Sequence, residues 1–113
     1  MVTTANWERI SRFQARSGVT RRVFSGKNSM MVLNELMPLA RPAMHQHPHE
    51  QLTYIIEGTG RFFIGDEVVE VAAGDLILVP PDIPHGLEVT SKEPVLNLDV
   101  FSPIREDYLA AGT

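Results

Sequence analysis

Three observations predict an all-β sandwich or barrel, built as a single domain over residues 1–113. No stretch sustains the 3.6-residue hydrophobic period of an amphipathic helix. Five short runs are rich in apolar, β-branched and aromatic residues: "SMMVLNEL", "QLTYIIEG", "GRFFIGDEVVEV", "GDLILVP" and "PVLNLDVFS". Glycine and proline punctuate these runs at intervals of roughly ten residues, the rhythm of strands and turns in all-β folds. A chain of 113 residues has room for one modest core and not for two.

Taken in order, the segment around Trp7 reads equally as a strand or a short helix. "SMMVLNEL" and "QLTYIIEG" read as strands. "FFIGDEVVEV" reads as a hairpin, because Gly65-Asp66 supplies turn chemistry between two alternating segments. A second Gly-Asp turn, Gly74-Asp75, precedes the strand "LILVP". "PVLNLDVFS" is the last strand, and "REDYLAAGT" predicts one helical turn that then frays.

The net charge of −4 argues against nucleic acid as a partner, since no dense Lys/Arg stripe is present to displace counterions. The small basic group Arg16, Arg21 and Arg22 reads as a solvated face. With no cysteine, disulfides, thiolate metal sites and a cysteine nucleophile are excluded together. No apolar run has signal-peptide or membrane-spanning character, so the expectation is a cytoplasmic protein with no membrane partner.

Chemistry concentrates in "MHQHPHEQLTYIIEG" (44–58). In an extended chain His45, His47, His49 and Gln51 share one face, and Glu50 takes the other. Two imidazoles two residues apart can reach one ion through Nε2, although a lone His-x-His also reads as a pair of loop histidines. "GDLILVPPDIPHG" adds His85 after a Pro-rich turn whose restricted backbone can hold an imidazole in place. The fourth donor is open: Glu50 after a slip in register, or Gln51 through its amide oxygen. Parity favours Gln51. His49 reads as a neighbour of the ligands or a surface residue.

The motifs H45-x-H47-x3-Q51-x6-G58 and G74-D75-x4-P80-P81-x2-P84-H85 resemble the two motifs of the cupin superfamily. Cupins are double-stranded β-helix (jelly-roll) barrels, so the resemblance implies that fold. It also implies one divalent metal ion (Ni, Zn, Fe, Mn or Cu) held by His45, His47, Gln51 and His85. The departure is at position 51, where most metal cupins carry glutamate. Three imidazoles and an amide leave the full charge of the ion uncompensated, a site suited to an anionic substrate.

The last strand carries a second cluster. Leu96, Leu98 and Val100 alternate with Asn97, Asp99 and Phe101, and either set reads as the inward one. "NLDVFSPIREDYL", with "GVTRRVFSGKNSMMV" and the histidine motif, is similar to the pectin-degradation cupins that linearise unsaturated monouronates. That resemblance implies Asp99 as catalytic acid/base over the strand region 95–109, with Phe101 and Arg105 lining the pocket. It implies conversion of a 4,5-unsaturated uronate, a small anionic sugar, to a linear keto acid. The negative charge would develop on an enolate oxygen beside the substrate carboxylate, where a cation stabilises it. For Arg105 the competing reading is an ion pair with Glu106 or Asp107, and a nearby cation is expected to lower the pKa of Asp99. The other functions open to such a chain are a quercetinase-like dioxygenase and a non-catalytic cupin that binds a small acid or sugar. A homodimer is expected, because small cupins commonly pair.

Overall fold

The computed structural model describes residues 2–38 and 40–111. Trp7–Arg9 forms a single 3-10 turn, opened by the Asn6 side chain accepting from the Glu8 amide. Nine strands follow: β1 (Phe13–Arg16), β2 (Val19–Ser25), β3 (Met30–Leu36), β4 (Glu50–Glu57), β5 (Thr59–Ile64), β6 (Glu67–Ala72), β7 (Leu76–Val79), β8 (His85–Val89) and β9 (Val95–Ser102). A short helix, α1 (Glu106–Ala111), ends the described chain. The expected fraying of the tail concerns residues 112–113, which lie outside the described residues.

The strands form two antiparallel sheets, one in the order β1-β2-β3-β9-β4-β7 and the other in the order β6-β5-β8. Each of the five apolar runs becomes a strand, and "GRFFIGDEVVEV" becomes the β5–β6 hairpin, with Ile64 opposite Glu67 across Gly65-Asp66. Gly65 takes φ +59, the left-handed conformation that a tight two-residue turn asks of its first central residue. β1, β2 and β8 were not legible as strands from alternation alone. Edge position, basic content and short length each hide the period-two pattern there.

Gly58, the last residue of the first motif, joins β4 to β5 at φ +88, and an added Cβ would meet Pro94 O at 2.8 Å and Val95 Cα at 2.9 Å. Left-handed strain and overpacking against backbone act together at this position. Gly58→Ala is therefore expected to cost about 2–4 kcal/mol, measured as a lower urea midpoint with an unchanged slope.

Two apolar clusters make the core, the first between the two sheets and the second between the large sheet and α1. Val19, Leu36, Ile55, Phe62, Val71, Val79, Leu87, Val89 and Val95 pack at one end, and Met30, Val32, Phe101 and Tyr108 at the other. Between them the inward positions of the central strands are polar: Asn34 on β3, Gln51 and Thr53 on β4, and Asn97 and Asp99 on β9 are all buried. This settles the direction of β9. Asn97, Asp99 and Phe101 point inward, while Leu96, Leu98 and Val100 lie on the half-buried outer face. Register puts Asp99 between Val32 on one side and Thr53 on the other. A barrel that buries so many polar side chains is stable only if they satisfy one another. The outer face of the large sheet, by contrast, exposes Leu52, Tyr54, Leu76 and Leu78.

Candidate functional site

The histidines reach their positions by a route different from the one strand parity describes. Residues 46–49 are not strand, and β4 begins only at Glu50. His45 instead pairs with His85 in an isolated antiparallel bridge, each amide donating to the other's carbonyl at 3.0 and 2.9 Å. His47 lies in the loop that follows, and its carbonyl accepts from the amide of Asp82 at 2.8 Å, which ties that loop to the Pro-rich turn. The same turn is held from its other side by Gly65 N–H on Pro84 O at 2.8 Å.

These contacts bring three rings together. Ring centroids are 4.3 Å apart for His45 and His85, 4.8 Å for His47 and His85, and 5.7 Å for His45 and His47. One ligand atom from each of the three lies within 4.8 Å of the other two, close enough for all three to serve one ion. His49 is not part of this group, although its ring lies 5.3 Å from that of His47. Glu50 is exposed on the opposite face.

The hydrogen bonds decide which nitrogen each imidazole offers. Nδ1 of His45 lies 3.0 Å from Ala43 O, Nδ1 of His47 3.0 Å from His49 O, and Nδ1 of His85 2.9 Å from Ile83 O. A carbonyl only accepts, so each Nδ1 carries the proton and each Nε2 is left with its lone pair. His85 Nε2 is buried with no hydrogen-bond partner. Burial lowers the pKa of all three imidazoles, that of His85 to about 4, and the charge of Arg105 adds to the effect at each. Neutral rings with free, converging Nε2 atoms are what a metal requires of histidine.

Gln51 completes the argument for a cation. Its Nε2 donates to Thr53 Oγ1 at 2.8 Å and to Asp99 Oδ1 at 3.2 Å, which turns Oε1 toward His47 Nε2 at 3.1 Å. With Nδ1 of His47 already donating, two lone-pair atoms face each other there. A cation between them removes the conflict. The same geometry explains the glutamine: a glutamate at position 51 would set a second carboxylate against Asp99, and two such groups cannot both ionise at this separation.

Asp99 is the most heavily bonded side chain in the interior. Oδ1 accepts from Thr53 (2.7 Å), Asn97 (2.9 Å) and Gln51 (3.2 Å), and Oδ2 accepts from Asn34 (2.9 Å). Burial nevertheless pushes its carboxyl up to about 6, against the lowering effects of the Thr53 hydrogen bond, the Arg21 charge and the Gln51 and Asn34 hydrogen bonds. Arg21 supplies the lowering effect expected of a nearby cation, and burial outweighs it.

Asp99, Gln51, His45 and His85 line one open cavity of about 360 Å³, together with Phe101 and Arg105. Arg105 is held by Asp107, Nε to Oδ1 at 3.2 Å and Nη2 to Oδ2 at 2.9 Å. Its guanidinium stacks on Tyr108 and leans over Phe101, 4.1 and 5.2 Å from the ring centroids. The ion pair read as a competing role therefore exists with Asp107, and Arg105 faces the cavity as well. Nη1 is left buried without a partner.

Reading the basic group as a solvated face is overturned in part. Arg16 and Arg21 line the cavity, because β2 turns Arg21 to the same side as the buried Val19. Asn34, Thr53 and Tyr108 were also missed. For Asn34 a signal existed: it shares parity with Met30, Val32 and Leu36 in "SMMVLNEL", and a polar residue inside an apolar set marks a polar interior.

Comparison with known proteins agrees with this architecture. An RmlC-like cupin from Shewanella frigidimarina is similar at a TM-score of 0.86 and 27% identity, over 96% of each chain. KdgF from Halomonas sp. has the same fold at a TM-score of 0.87 and 24% identity, over 96% of this chain and 99% of that one. Acireductone dioxygenase from Saccharomyces cerevisiae is 28% identical over a 90-residue alignment covering 58% of this chain and 50% of that protein. An uncharacterised protein of Methanocaldococcus jannaschii is 35% identical over 57 residues, 50% of this chain and 46% of its own length. The chain spans about half the length of these curated relatives. Among the described residues, no helix is long and apolar enough to cross a membrane. The family model for the Cupin domain matches residues 32–101, which contain both histidine motifs and most of β9. A three-histidine group inside a two-sheet β fold, read with that match, makes this chain a member of the cupin family.

Proposed function

We propose that the protein is a metal-dependent enzyme that opens the ring of 4,5-unsaturated monouronates to linear keto acids. One observation carries the reading: a buried carboxylate that accepts four hydrogen bonds, Asp99, shares a single cavity with His45 and His85 of the three-histidine group and with Arg105. A cavity of this size suits a monosaccharide. His45, His47, His85 and the Gln51 amide oxygen would hold the ion. When bound, a divalent ion supplies Lewis-acid stabilisation of negative charge on substrate oxygens.

The remaining work belongs to side chains. Asp99 takes the proton from the anomeric hydroxyl, the C1–ring oxygen bond breaks to leave an aldehyde, and the electron pair passes to the ring oxygen as an enolate. Reprotonation at C4, with the same proton available on Asp99, gives the keto acid, so atoms and charge balance without a co-reactant. A carboxyl whose pKa lies near neutrality can both accept and return a proton. Thr53, Asn34 and Asn97 keep it in one orientation throughout. Arg105 meets the substrate carboxylate, and the Phe101 ring excludes water from the inner side of the cavity.

The direct test is loss of enol-ether absorbance when metal-loaded protein meets an unsaturated monouronate. No decay would end the reading. Arg105→Ala is expected to raise KM roughly tenfold to a hundredfold, the worth of a charge-assisted hydrogen bond, with metal content unchanged. An unaltered KM would reduce Arg105 to its ion pair with Asp107.

A second reading, an oxygen-dependent dioxygenase, draws on the local similarity to acireductone dioxygenase. Oxygen uptake separates the two, since ring opening consumes none.

A further inference from the structure

The cavity wall holds three arginines, Arg16, Arg21 and Arg105, against a single acidic residue, Asp99, in a chain whose net charge is −4. Arg105 is neutralised by Asp107. Arg16 donates to the Arg41 carbonyl at 2.6 Å. Arg21 has no carboxylate partner among the described residues. Its Nε donates to Asn34 Oδ1 at 3.0 Å, and among the described residues neither terminal nitrogen makes a hydrogen bond or ion pair.

Arg21 is nonetheless firmly placed. Its guanidinium carbon lies 4.3 Å from the centroid of Tyr108, while that of Arg105 lies 4.1 Å from the same centroid. Two guanidinium groups that close to one ring fit only on opposite faces. The buried Tyr108 ring therefore separates two cations and orients both, with the ring quadrupole attracting each. Arg105 stands on the side of Phe101. Arg21 stands on the side of Asp99, reached through Asn34, which accepts from Arg21 and donates to Asp99.

We infer that Arg21 is a second anion-binding residue of the pocket, and that the pocket takes sugar acids with two negatively charged groups in preference to those with one. The inference rests on the reading of the site as one for a sugar acid. A single carboxylate placed at the Arg105 end leaves the terminal nitrogens of Arg21 without an anion, since its charge reaches Asp99 only across Asn34. A second oxyanion pairs with its two unused terminal NH2 groups in a planar fork, a geometry an arginine offers and a lysine does not.

Galactarate and galactonate form a matched pair of probes, linear six-carbon acids that differ in one terminal carboxylate against a hydroxymethyl group. Calorimetric titration of the full-length, metal-loaded protein is expected to show galactarate bound more tightly by about tenfold or more. Arg21→Gln should erase that ratio while galactonate affinity stays within about twofold. Arg21→Lys, which keeps the charge and loses the fork, should retain part of the ratio and shows whether the loss in the glutamine variant reflects chemistry and not folding. An equal preference in wild type and Arg21→Gln, no preference in wild type, or no binding of either acid would each overturn the inference. Turnover of the unsaturated uronate by wild type, followed in parallel, keeps the two readings apart. Turnover without a galactarate preference removes Arg21 alone, and a preference without turnover removes the reaction alone.

Discussion

Asp99→Asn is expected to lower turnover by roughly 10²- to 10⁴-fold, the usual worth of general acid–base catalysis, while metal content stays at the wild-type level. The substitution is close to isosteric, and the consequences follow from who donates to whom. Oδ1 of Asp99 accepts from three groups, and an asparagine oxygen in that place keeps all three. The asparagine nitrogen then faces the Asn34 Nδ2 group, which donates to Oδ2 in the native protein. Asn34 cannot turn over to relieve this, because its oxygen accepts from Arg21. One buried donor is left unpaired, at a cost of about 1–3 kcal/mol. The variant should thus be folded, less stable in urea by that amount, metal-loaded and nearly inactive. Turnover within a fewfold of wild type would take Asp99 out of the chemistry.

The second large effect is expected at His85. His85→Ala should reduce bound metal, measured by elemental analysis after dialysis, from about one ion per chain to background, and turnover should vanish with it. The fold should survive. The bridge between His45 and His85 is made by backbone atoms, so an alanine keeps it, and the β8 register with β5 does not depend on the imidazole. His85 is the sensitive ligand because its Nε2 is buried and lacks any protein partner, which makes it a poor resident of the interior without an ion. Full metal occupancy in His85→Ala would contradict the three-histidine site.

Gln51 shows how the histidine group and Asp99 are joined. The amide turns its oxygen toward His47 and its nitrogen toward Asp99, and no carboxylate can do both. A glutamate here would repel Asp99. Under the proposed function, the neutral side chain is what keeps an ionisable carboxyl hydrogen-bonded beside the metal site.

Much of this was legible from residue order. Turn chemistry at Gly65-Asp66 and the alternation of "FFIGDEVVEV" suffice for the β5–β6 hairpin, since both are local properties of the backbone. Period-two alternation on β9 separates Asn97, Asp99 and Phe101 from Leu96, Leu98 and Val100, but alternation has no sign. Which set faces inward depends on what the neighbouring strands present, and Asn34 and Thr53 present polar groups. Strand parity named His45, His47 and Gln51 together although residues 46–49 do not form a strand.

Residue order alone sets the donor types, their succession and the all-β architecture, because side-chain chemistry and local backbone preference reside in short stretches of chain. The packing of the folded chain is what brings Arg21 into the cavity, stands Tyr108 between two cations and surrounds Asp99 with four donors from three strands. Those facts arise from contacts between residues as far apart in the chain as Arg21 and Tyr108, and no local rule of periodicity or propensity carries information over such a distance.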